Sequence, residues 1–175
     1  DDFLRDVDNW SNHRPLLWFA LEETRGPVLE LGIGRGSTPY LHDYCRARDR
    51  SLLSLDSNIE WVEEFAHLGS ALHEVRCAGR DWSGFSHDGT PFSVALVDHA
   101  PADRRPRDVE YLASRCGVLV IHDSEPGDGH GLAGVWKHFP YRVDIQTGEA
   151  WASAVSQTVD VTAWRGRDVG GWKIS

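Results

Sequence analysis

A short apolar run followed by a glycine-rich loop constrains this chain more than any other feature. Residues 28–41 read VLELGIGRGSTPYL, with three alternating glycines directly after a Val-Leu-Glu-Leu run. The apolar run predicts a strand buried on both faces, and glycines let the next backbone segment turn tightly and approach a ligand closely. The dinucleotide-binding pattern G-x-G-x-x-G is not met, because Gly36 comes one residue early and the acid Glu30 lies within the strand. The loop therefore predicts a ligand cradle unlike that of nicotinamide-dependent dehydrogenases.

Strand and helix patterns alternate along the rest of the chain. Apolar runs predict strands at residues 27–32, 51–56, 73–79, 92–100, 117–125, 141–146 and 150–156. Periodic apolar residues and prolines at helix starts predict helices at 13–26, 38–48, 57–68, 106–116 and 132–139. Ser57 and Glu60 are spaced as a capping box for the third helix. The alternation predicts an α/β fold with a Rossmann-like, doubly wound, mostly parallel sheet and helices on both faces.

Size and composition indicate one domain without an extended nucleic-acid surface. With 175 residues, 41% of them hydrophobic, we expect a single domain, with a helical segment at 1–26 and the ligand-binding core at 27–175. The net charge of −9 argues against a nucleic-acid partner. Cys45, Cys77 and Cys116 form no C-x-x-C pair, which fits free thiols in a cytoplasmic protein. No apolar run approaches the roughly 20 residues of a membrane span, so we expect no membrane partner.

Acidic residues follow the predicted strands at the edge where ligands of such sheets bind. Asp56 ends the second strand, 20 residues after Gly36, where a carboxylate accepts hydrogen bonds from both ribose hydroxyls of a nucleoside. Asp81 follows the third strand in a similar position. A tight strand-to-helix turn and helix capping would explain the glycines and Asp56 without any ligand. The glycine loop and the two acids together favour a nucleoside site.

The E-x-G-x-G-x-G run and the acid after it resemble a known family. From about Asn12 onward the chain is similar to class I S-adenosylmethionine-dependent methyltransferases. The resemblance implies a seven-stranded sheet of strand order 3-2-1-4-5-7-6 and S-adenosylmethionine as cofactor. It implies that Glu30 supports the loop near the cofactor's amino group, the glycines line its methionine part, and Asp56 holds the ribose. Ser37 or Thr38 would bind the cofactor's carboxylate. The implied cofactor-binding residues are Glu30, Gly32, Gly34, Gly36, Ser37, Thr38, Asp56, Ser57, Asp81, Trp82 and Asp98, with Asp81 and Trp82 at the adenine.

A second group of ionisable residues follows the fourth and fifth predicted strands. The stretches LVDHAP and VIHDSE carry Asp98, His99, His122 and Asp123, and the carboxyl ends of neighbouring strands would bring them to one edge of the cleft. This pattern resembles the catechol-type O-methyltransferases, in which acidic and amide residues after these two strands hold a magnesium ion. The sequence therefore raises the question of a metal beside the cofactor.

The catechol-type resemblance implies Asp98, Asp123 and Ser124 as metal ligands, with Ser124 in place of the family's amide. The family's lysine base would fall near Pro101 and is absent, so one of the two histidines would take the proton. The expected catalytic residues are His99, His122 and Asp98. Oxygen ligands suit Mg²⁺, whereas added histidines would favour Mn²⁺, Fe²⁺ or Zn²⁺. Strand-end capping by the two aspartates, and acid–base histidines without a metal, are the alternatives.

The chemistry of methyl transfer sets the functional prediction. Transfer from a sulfonium is an in-line displacement, in which orientation supplies roughly 7–11 kcal/mol and a positioned base about 10²- to 10⁴-fold. We predict a methyltransferase acting on a small molecule, with O-methylation assisted by a divalent metal, and a homodimer whose partner supplies a lid. Alternatives are N-methylation without a metal, a non-catalytic nucleoside-binding domain, and a nicotinamide-dependent oxidoreductase, which Glu30 and the third glycine disfavour.

Overall fold

A seven-stranded sheet forms the centre of the protein. The structure is a computed structural model that describes residues 2–85, 89, 91–127, 130–169 and 171–175. The strands of the sheet are β1 (Val28–Leu31), β2 (Leu52–Asp56), β3 (His73–Cys77), β4 (Phe92–Val97), β5 (Cys116–His122), β6 (Tyr141–Thr147) and β7 (Ala150–Ser156). Their order is β3-β2-β1-β4-β5-β7-β6, and only β7 pairs antiparallel, with β5 and with β6. The predicted α/β fold and strand order are confirmed.

Helices cover the sheet on both sides. The α-helices are α1 (Arg14–Glu23), α2 (Thr38–Ala47), α3 (Ile59–Phe65) and α4 (Arg105–Leu112). Prolines in the first turns of α1, α2 and α4 favour helix starts, because their φ is preset and their missing N–H has no helical partner there. The remaining described elements are short 3₁₀ turns and a hairpin of β8 (Asp168–Val169) and β9 (Trp172–Lys173). None of the described helices has the length and apolar character that crossing a membrane requires.

Two local predictions are corrected by the structure. Asn58, rather than Ser57, caps α3, because the Asn58 side chain accepts a hydrogen bond of 2.9 Å from the N–H of Glu60. The helix predicted at 132–139 is instead a pair of 3₁₀ turns, Leu132–Gly134 and Trp136–His138. Glycine is a poor helix former, which explains why the apolar pattern alone did not sustain an α-helix there.

Burial of the sheet on both faces explains the nearly continuous apolar sequence of its central strands. Along β1, Val28 belongs to the core layer that contains residues of α1 and α2, whereas Leu29 and Leu31 belong to the layer that contains residues of α4. Successive strand residues point to opposite faces. Glu30 therefore faces the α2 side, directly beneath the start of that helix.

Candidate active site

The three glycines after β1 have three different structural roles. Gly32 has a φ of +104°, and a Cβ atom there would lie 2.6 Å from the carbonyl carbon and oxygen of Asp98, so only glycine fits beside the end of β4. A Cβ atom on Gly34 would meet nothing within 4 Å. A Cβ atom on Gly36 would lie 3.3 Å from the carbonyl oxygen of Trp10. The loop is packed at both ends and leaves an open space, the cradle, at Gly34.

Glu30 supports the glycine loop through two hydroxyls. It is fully buried, and its Oε1 accepts hydrogen bonds from Ser37 Oγ at 2.5 Å and Thr38 Oγ1 at 3.0 Å. Thr38 Oγ1 in turn accepts a hydrogen bond of 2.9 Å from the N–H of Gly34. Burial raises the pKa of Glu30 to about 7, although the hydrogen bond from Ser37 opposes this shift. The hydroxyls of Ser37 and Thr38 are thus engaged within the protein, which counts against their expected contact with a cofactor carboxylate.

Asp56 connects the tip of β2 to the glycine loop. Its Oδ2 accepts a hydrogen bond of 2.9 Å from the N–H of Ile33, and its Oδ1 accepts one of 2.7 Å from the N–H of Asn58. Each carboxylate oxygen has a further lone pair, and Asp56 lines the cleft above the loop. The residue therefore shapes the loop and also presents acceptors to a ligand.

A cleft of about 330 Å³ lies above the glycine loop. Its volume falls within the range of about 300–1,000 Å³ that is typical of small-molecule sites. The loop, the residues after β2 and β4, and Trp10 and His13 of the N-terminal segment line it. A second depression, of about 460 Å³, shares Ser57 and Asn58 with the cleft. The two spaces together offer an elongated path along the carboxyl edge of the sheet.

Asp81 and Trp82, the residues expected at an adenine, follow β3 and lie apart from the glycine loop. Asp81 is exposed, accepts a hydrogen bond of 3.1 Å from the N–H of Ser83, and lines a separate groove together with Arg104. Trp82 is 1% exposed, and its Nε1 donates a hydrogen bond of 2.9 Å to the carbonyl oxygen of Ala100. The Trp82 side chain therefore supports the loop after β4 from within the core, which corrects the expectation that it lines the cofactor site.

The residues that follow β4 and β5 form a charged cluster. His122 Nδ1 lies 3.0 Å from Asp98 Oδ1 and 3.2 Å from Asp123 Oδ1, and His122 Nε2 donates to the carbonyl oxygen of Asn9 at 3.2 Å. Burial would lower the pKa of His122, but the hydrogen bonds to Asp123 and Asp98 outweigh it and raise the pKa to about 10. Asp123 has a left-handed φ of 52°. Its side chain and that of the preceding residue, His122, both belong to this cluster. The predicted convergence of these three residues is present.

Arg105, at the start of α4, bridges the two carboxylates of this cluster. Its Nη2 donates to Asp98 Oδ1 at 3.2 Å, and its Nη1 donates to Asp123 Oδ2 at 3.0 Å. Further hydrogen bonds to the carbonyl oxygens of His99 and His122 hold the guanidinium in place. A fixed positive charge therefore lies between the two acids that were expected to hold a metal.

His99 and Ser124 do not join the charged cluster. His99 is fully buried, with its Nε2 2.9 Å from Asp108 Oδ2 and its ring centroid 4.4 Å from that of Trp82. Ser124 is also buried, and its Oγ forms a hydrogen bond of 2.8 Å with Ser153 Oγ of β7. Neither side chain lines the cleft. This corrects the expectations that His99 takes a proton from an acceptor and that Ser124 binds a metal.

His13 is a cleft residue that the sequence did not single out. It directly precedes α1, is 1% exposed, and its ring centroid lies 5.0 Å from that of His122. Neither of its ring nitrogens has a hydrogen-bond partner among the described residues. Burial, aided by the charge of His122, lowers the pKa of His13 to about 3 and keeps the ring neutral. A polar residue before a helix is usually an exposed cap, so no local pattern signals its burial.

Comparisons with solved structures identify the architecture. The O-methyltransferase TomG from Streptomyces achromogenes, solved in complex with S-adenosylmethionine, matches with a TM-score of 0.58 and 19% identity over 85% of this chain and 78% of its own. A putative O-methyltransferase from Klebsiella pneumoniae matches with a TM-score of 0.61 and 16% identity, covering 88% and 83%. The O-methyltransferase from Bacillus cereus in complex with SAH matches at 0.57 and 16%, covering 86% and 82%. The chain has the class I methyltransferase fold.

No protein-family model and no curated protein matches the sequence. Within the class I methyltransferase fold, the described residues fit an adenosyl cofactor, since Gly34 leaves a cradle that a side chain would fill and Asp56 presents a carboxylate beside it. They do not fit the oxygen-only metal site, because Ser124 is bound to β7 and Arg105 bridges the remaining acids.

Proposed function

We propose that this protein binds S-adenosylmethionine in the cleft and transfers its methyl group to an oxygen of a small molecule. The observation that carries the proposal is the cradle at Gly34, held open between the buried Glu30 network and the Asp56 carboxylate. The class I methyltransferase fold supports it, as do TomG and the Bacillus cereus enzyme, two O-methyltransferases solved with S-adenosylmethionine and SAH.

The cleft residues suggest how the cofactor would be held. The free lone pairs of Asp56 would accept hydrogen bonds from the ribose hydroxyls. The neighbouring depression beside Ser57 and Asn58 has room for the base. At the other end, Asp98 lines the cleft and its side chain remains 23% exposed, so its carboxylate is available to an ammonium group or to the acceptor.

The acceptor would enter beside the N-terminal segment. Trp10 lines the cleft and is 81% exposed, which offers a flat apolar surface at the cleft mouth. Of the three expected catalytic residues, Asp98 lines the cleft, with its Oδ1 in contact with His122 and Arg105. His99 is buried elsewhere, and the flanking carboxylates keep a proton on His122. Because orientation supplies roughly 7–11 kcal/mol, more than a base of about 10²- to 10⁴-fold, positioning in the cleft would carry the larger share of catalysis.

A matched pair of glycine substitutions tests cofactor binding. Neither Gly34 nor Gly134 has a positive φ, and a Cβ atom on either would meet nothing within 4 Å, but only Gly34 lines the cleft. Calorimetry with S-adenosylmethionine and SAH should show binding by the wild type and by Gly134→Val. Gly34→Val should remain folded and lose about tenfold or more in affinity, equivalent to about 1.4 kcal/mol.

A methyl-transfer screen tests the chemistry. Methyl-labelled S-adenosylmethionine would be supplied with phenols, catechols, carboxylic acids and amines. Transfer to an oxygen acceptor is expected, and transfer confined to amines would overturn the oxygen assignment. Tight cofactor binding with no transfer to any acceptor would favour a non-catalytic nucleoside-binding domain. No affinity for the cofactor or its product would overturn the whole proposal.

A further inference from the structure

A group of metal-binding atom types lies on the inner wall of the cleft. One ring nitrogen each of His13 and His122 and one carboxylate oxygen of Asp98 lie within 4.8 Å of one another. His13 belongs to the N-terminal segment, Asp98 follows β4, and His122 ends β5. Three distant parts of the chain therefore bring two imidazoles and a carboxylate together at a single point.

His13 is the first indication that a ligand belongs at this point. The ring is buried, and within the part of the chain that the structure describes, neither nitrogen has a hydrogen-bond partner. A polar group removed from water without a partner destabilises the folded protein. A cation that accepts the lone pair of one ring nitrogen would remove this cost.

The orientation of His122 is the second indication. Its Nε2 donates to the carbonyl oxygen of Asn9, which directs Nδ1 towards the two carboxylates. Metal-binding histidines characteristically donate their second ring N–H to such a carbonyl, which fixes the ring and its tautomer. The contact with the Asn9 carbonyl therefore fixes the ring and directs a ligand atom.

The distances would let one ion replace the proton that His122 Nδ1 shares with the carboxylates. His122 Nδ1 lies 3.0 Å from Asp98 Oδ1 and 3.2 Å from Asp123 Oδ1. Two ligands at right angles on an ion with bonds of about 2.1 Å lie about 3.0 Å apart, and two on opposite sides lie about 4.2 Å apart. His13 contributes a ring nitrogen within 4.8 Å of the other two ligand atoms and would complete the site by moving closer to them.

We propose that His13, Asp98 and His122 bind one divalent transition-metal ion, with Asp123 as the neighbouring carboxylate. Two imidazoles with one or two carboxylates suit Mn²⁺, Fe²⁺ or Zn²⁺, whereas Mg²⁺ prefers oxygen ligands. The site differs from the oxygen-only set that the sequence suggested, because the two histidines take the place of Ser124.

The charges of the cluster are compatible with a bound cation. Asp98 and Asp123 bring two negative charges, Arg105 neutralises one of them, and an ion would take the place of the proton on His122 that faces them both. Arg105 donates to Asp98 Oδ1 and Asp123 Oδ2, so Asp123 Oδ1 is not held by the guanidinium and Asp98 Oδ1 keeps a further lone pair for an ion. The guanidinium would orient both carboxylates from outside the ligand set.

The role of the ion, unlike its binding, rests on the proposed function. Bound beside the cleft, it would favour the ionised form of an acceptor hydroxyl and fix its position. The site itself requires no methyl transfer, so the two proposals can fail separately.

Titration of the full-length, metal-free chain in the absence of cofactor tests the site. The visible absorption of Co²⁺, and competition for Zn²⁺ with a chromogenic chelator, should show one ion per chain. A large excess of Mg²⁺ should leave that ion in place. Absence of binding, or ready displacement by Mg²⁺, would overturn the proposal. Calorimetry with S-adenosylmethionine in the presence of chelator would report on the proposed function independently.

Matched histidine variants locate the ion. His13→Gln and His122→Gln should each weaken Zn²⁺ binding by about tenfold or more. His42→Gln is the control, because His42 Nδ1 lies 3.1 Å from His73 Nδ1 and forms another histidine pair that an ion could occupy. Unchanged affinity in folded His13→Gln and His122→Gln, or loss only in His42→Gln, would overturn the assignment.

A measurement on the wild type keeps the proposal testable if the buried-histidine variants do not fold. Pulsed electron paramagnetic resonance of the Mn²⁺-loaded chain should detect nitrogen couplings from coordinated imidazole. A spectrum without such couplings would indicate oxygen ligands alone and would overturn the two-histidine site.

Discussion

Asp56 Oδ2 accepts a hydrogen bond of 2.9 Å from the backbone N–H of Ile33, 23 residues earlier in the chain. The carboxylate best placed to hold a ribose is thus also a structural support of the glycine loop. Binding and stability are coupled at this residue, so variants of Asp56 need both measurements.

Asp56→Asn should weaken both properties. The new amide group places an N–H donor against the N–H of Ile33 or Asn58, so we expect the free energy of unfolding to fall by about 1–3 kcal/mol. Affinity for S-adenosylmethionine should fall by about tenfold or more, equivalent to about 1.4 kcal/mol. Urea unfolding and calorimetry measure the two effects. Asp43→Asn, at an exposed position of α2, is the control and should change neither. Wild-type cofactor affinity in a folded Asp56→Asn protein would contradict the assigned role.

Alanine at Gly32 should destabilise the protein, whereas alanine at Gly34 should leave its stability nearly unchanged. At Gly32 the new Cβ atom would lie 2.6 Å from the Asp98 backbone, at a φ of +104°, so we expect a loss of more than about 2 kcal/mol in the free energy of unfolding. At Gly34 the Cβ atom meets open space, and the change should stay within about 0.5 kcal/mol. Urea unfolding of both proteins provides the comparison. Equal stabilities would show that the close approach of β1 to β4 is not required.

The buried carboxyl of Glu30 should make stability fall as pH rises. Burial raises its pKa from 4.5 to about 7, so between these values the folded protein keeps a proton that the unfolded chain has released. Folding is therefore progressively disfavoured across this window, by a total on the order of 3 kcal/mol, and the Glu30 contribution is level above it.

Urea unfolding of the wild type and of Glu30→Gln from about pH 5 to pH 8 measures this effect, since the shifted pKa sets the window. The glutamine variant mimics the protonated carboxyl and should lack the decline. Its stability relative to the wild type should therefore increase with pH. A difference that stays constant across the range would refute a raised pKa.

Arg105→Met should destabilise the protein, because the carboxylates of Asp98 and Asp123 would lose the guanidinium that bridges them. Removing one partner of a buried ion pair costs about 3–5 kcal/mol, and we expect about 2–3 kcal/mol here because Asp98 and Asp123 keep some solvent contact. Arg105→Lys should recover part of the loss. Arg107→Met, at an exposed position two residues away, should change stability by less than about 0.5 kcal/mol. Equal effects at the two arginines would argue against the bridge.

Much of the fold could be predicted because local pattern and burial agree. The apolar runs at β1, β4 and β5 are buried on both faces, and their parallel pairing follows from the helices between them. The strand order came from the family resemblance, because periodicity does not specify which strands become neighbours. The segment at 132–139 shows where pattern fails, since Gly134 interrupts an otherwise helical spacing.

One error in the candidate site was avoidable from the sequence. Asp98 and His99 are adjacent at the end of β4, and successive residues of an extended backbone point to opposite faces. Because Asp98 lines the cleft, we would expect His99 to face the core, where it contacts Asp108. Alternation separates these two neighbours, whereas the left-handed backbone at Asp123 brings His122 and Asp123 into one cluster after β5.

The remaining site residues depend on contacts that no short pattern records. His13 and Trp10 line the cleft because the N-terminal segment packs on Gly36, far along the chain. Arg105 did carry a signal, since it belongs to the arginine-rich DRRPR run directly after the strand-four acid in a chain of net charge −9. A basic run in that position was a candidate partner for the two acids.

The hydrogen bond between His122 and the Asn9 carbonyl joins residues 113 positions apart, which sets an order of events during synthesis. A nascent chain emerges from its N-terminus, so the segment around Asn9 waits for the fifth strand to leave the ribosome before it has anything to pack against. A polypeptide arrested before His122 would carry the complete glycine loop and still lack one side of its pocket. Small-molecule recognition would then begin only after the fifth strand has left the ribosome.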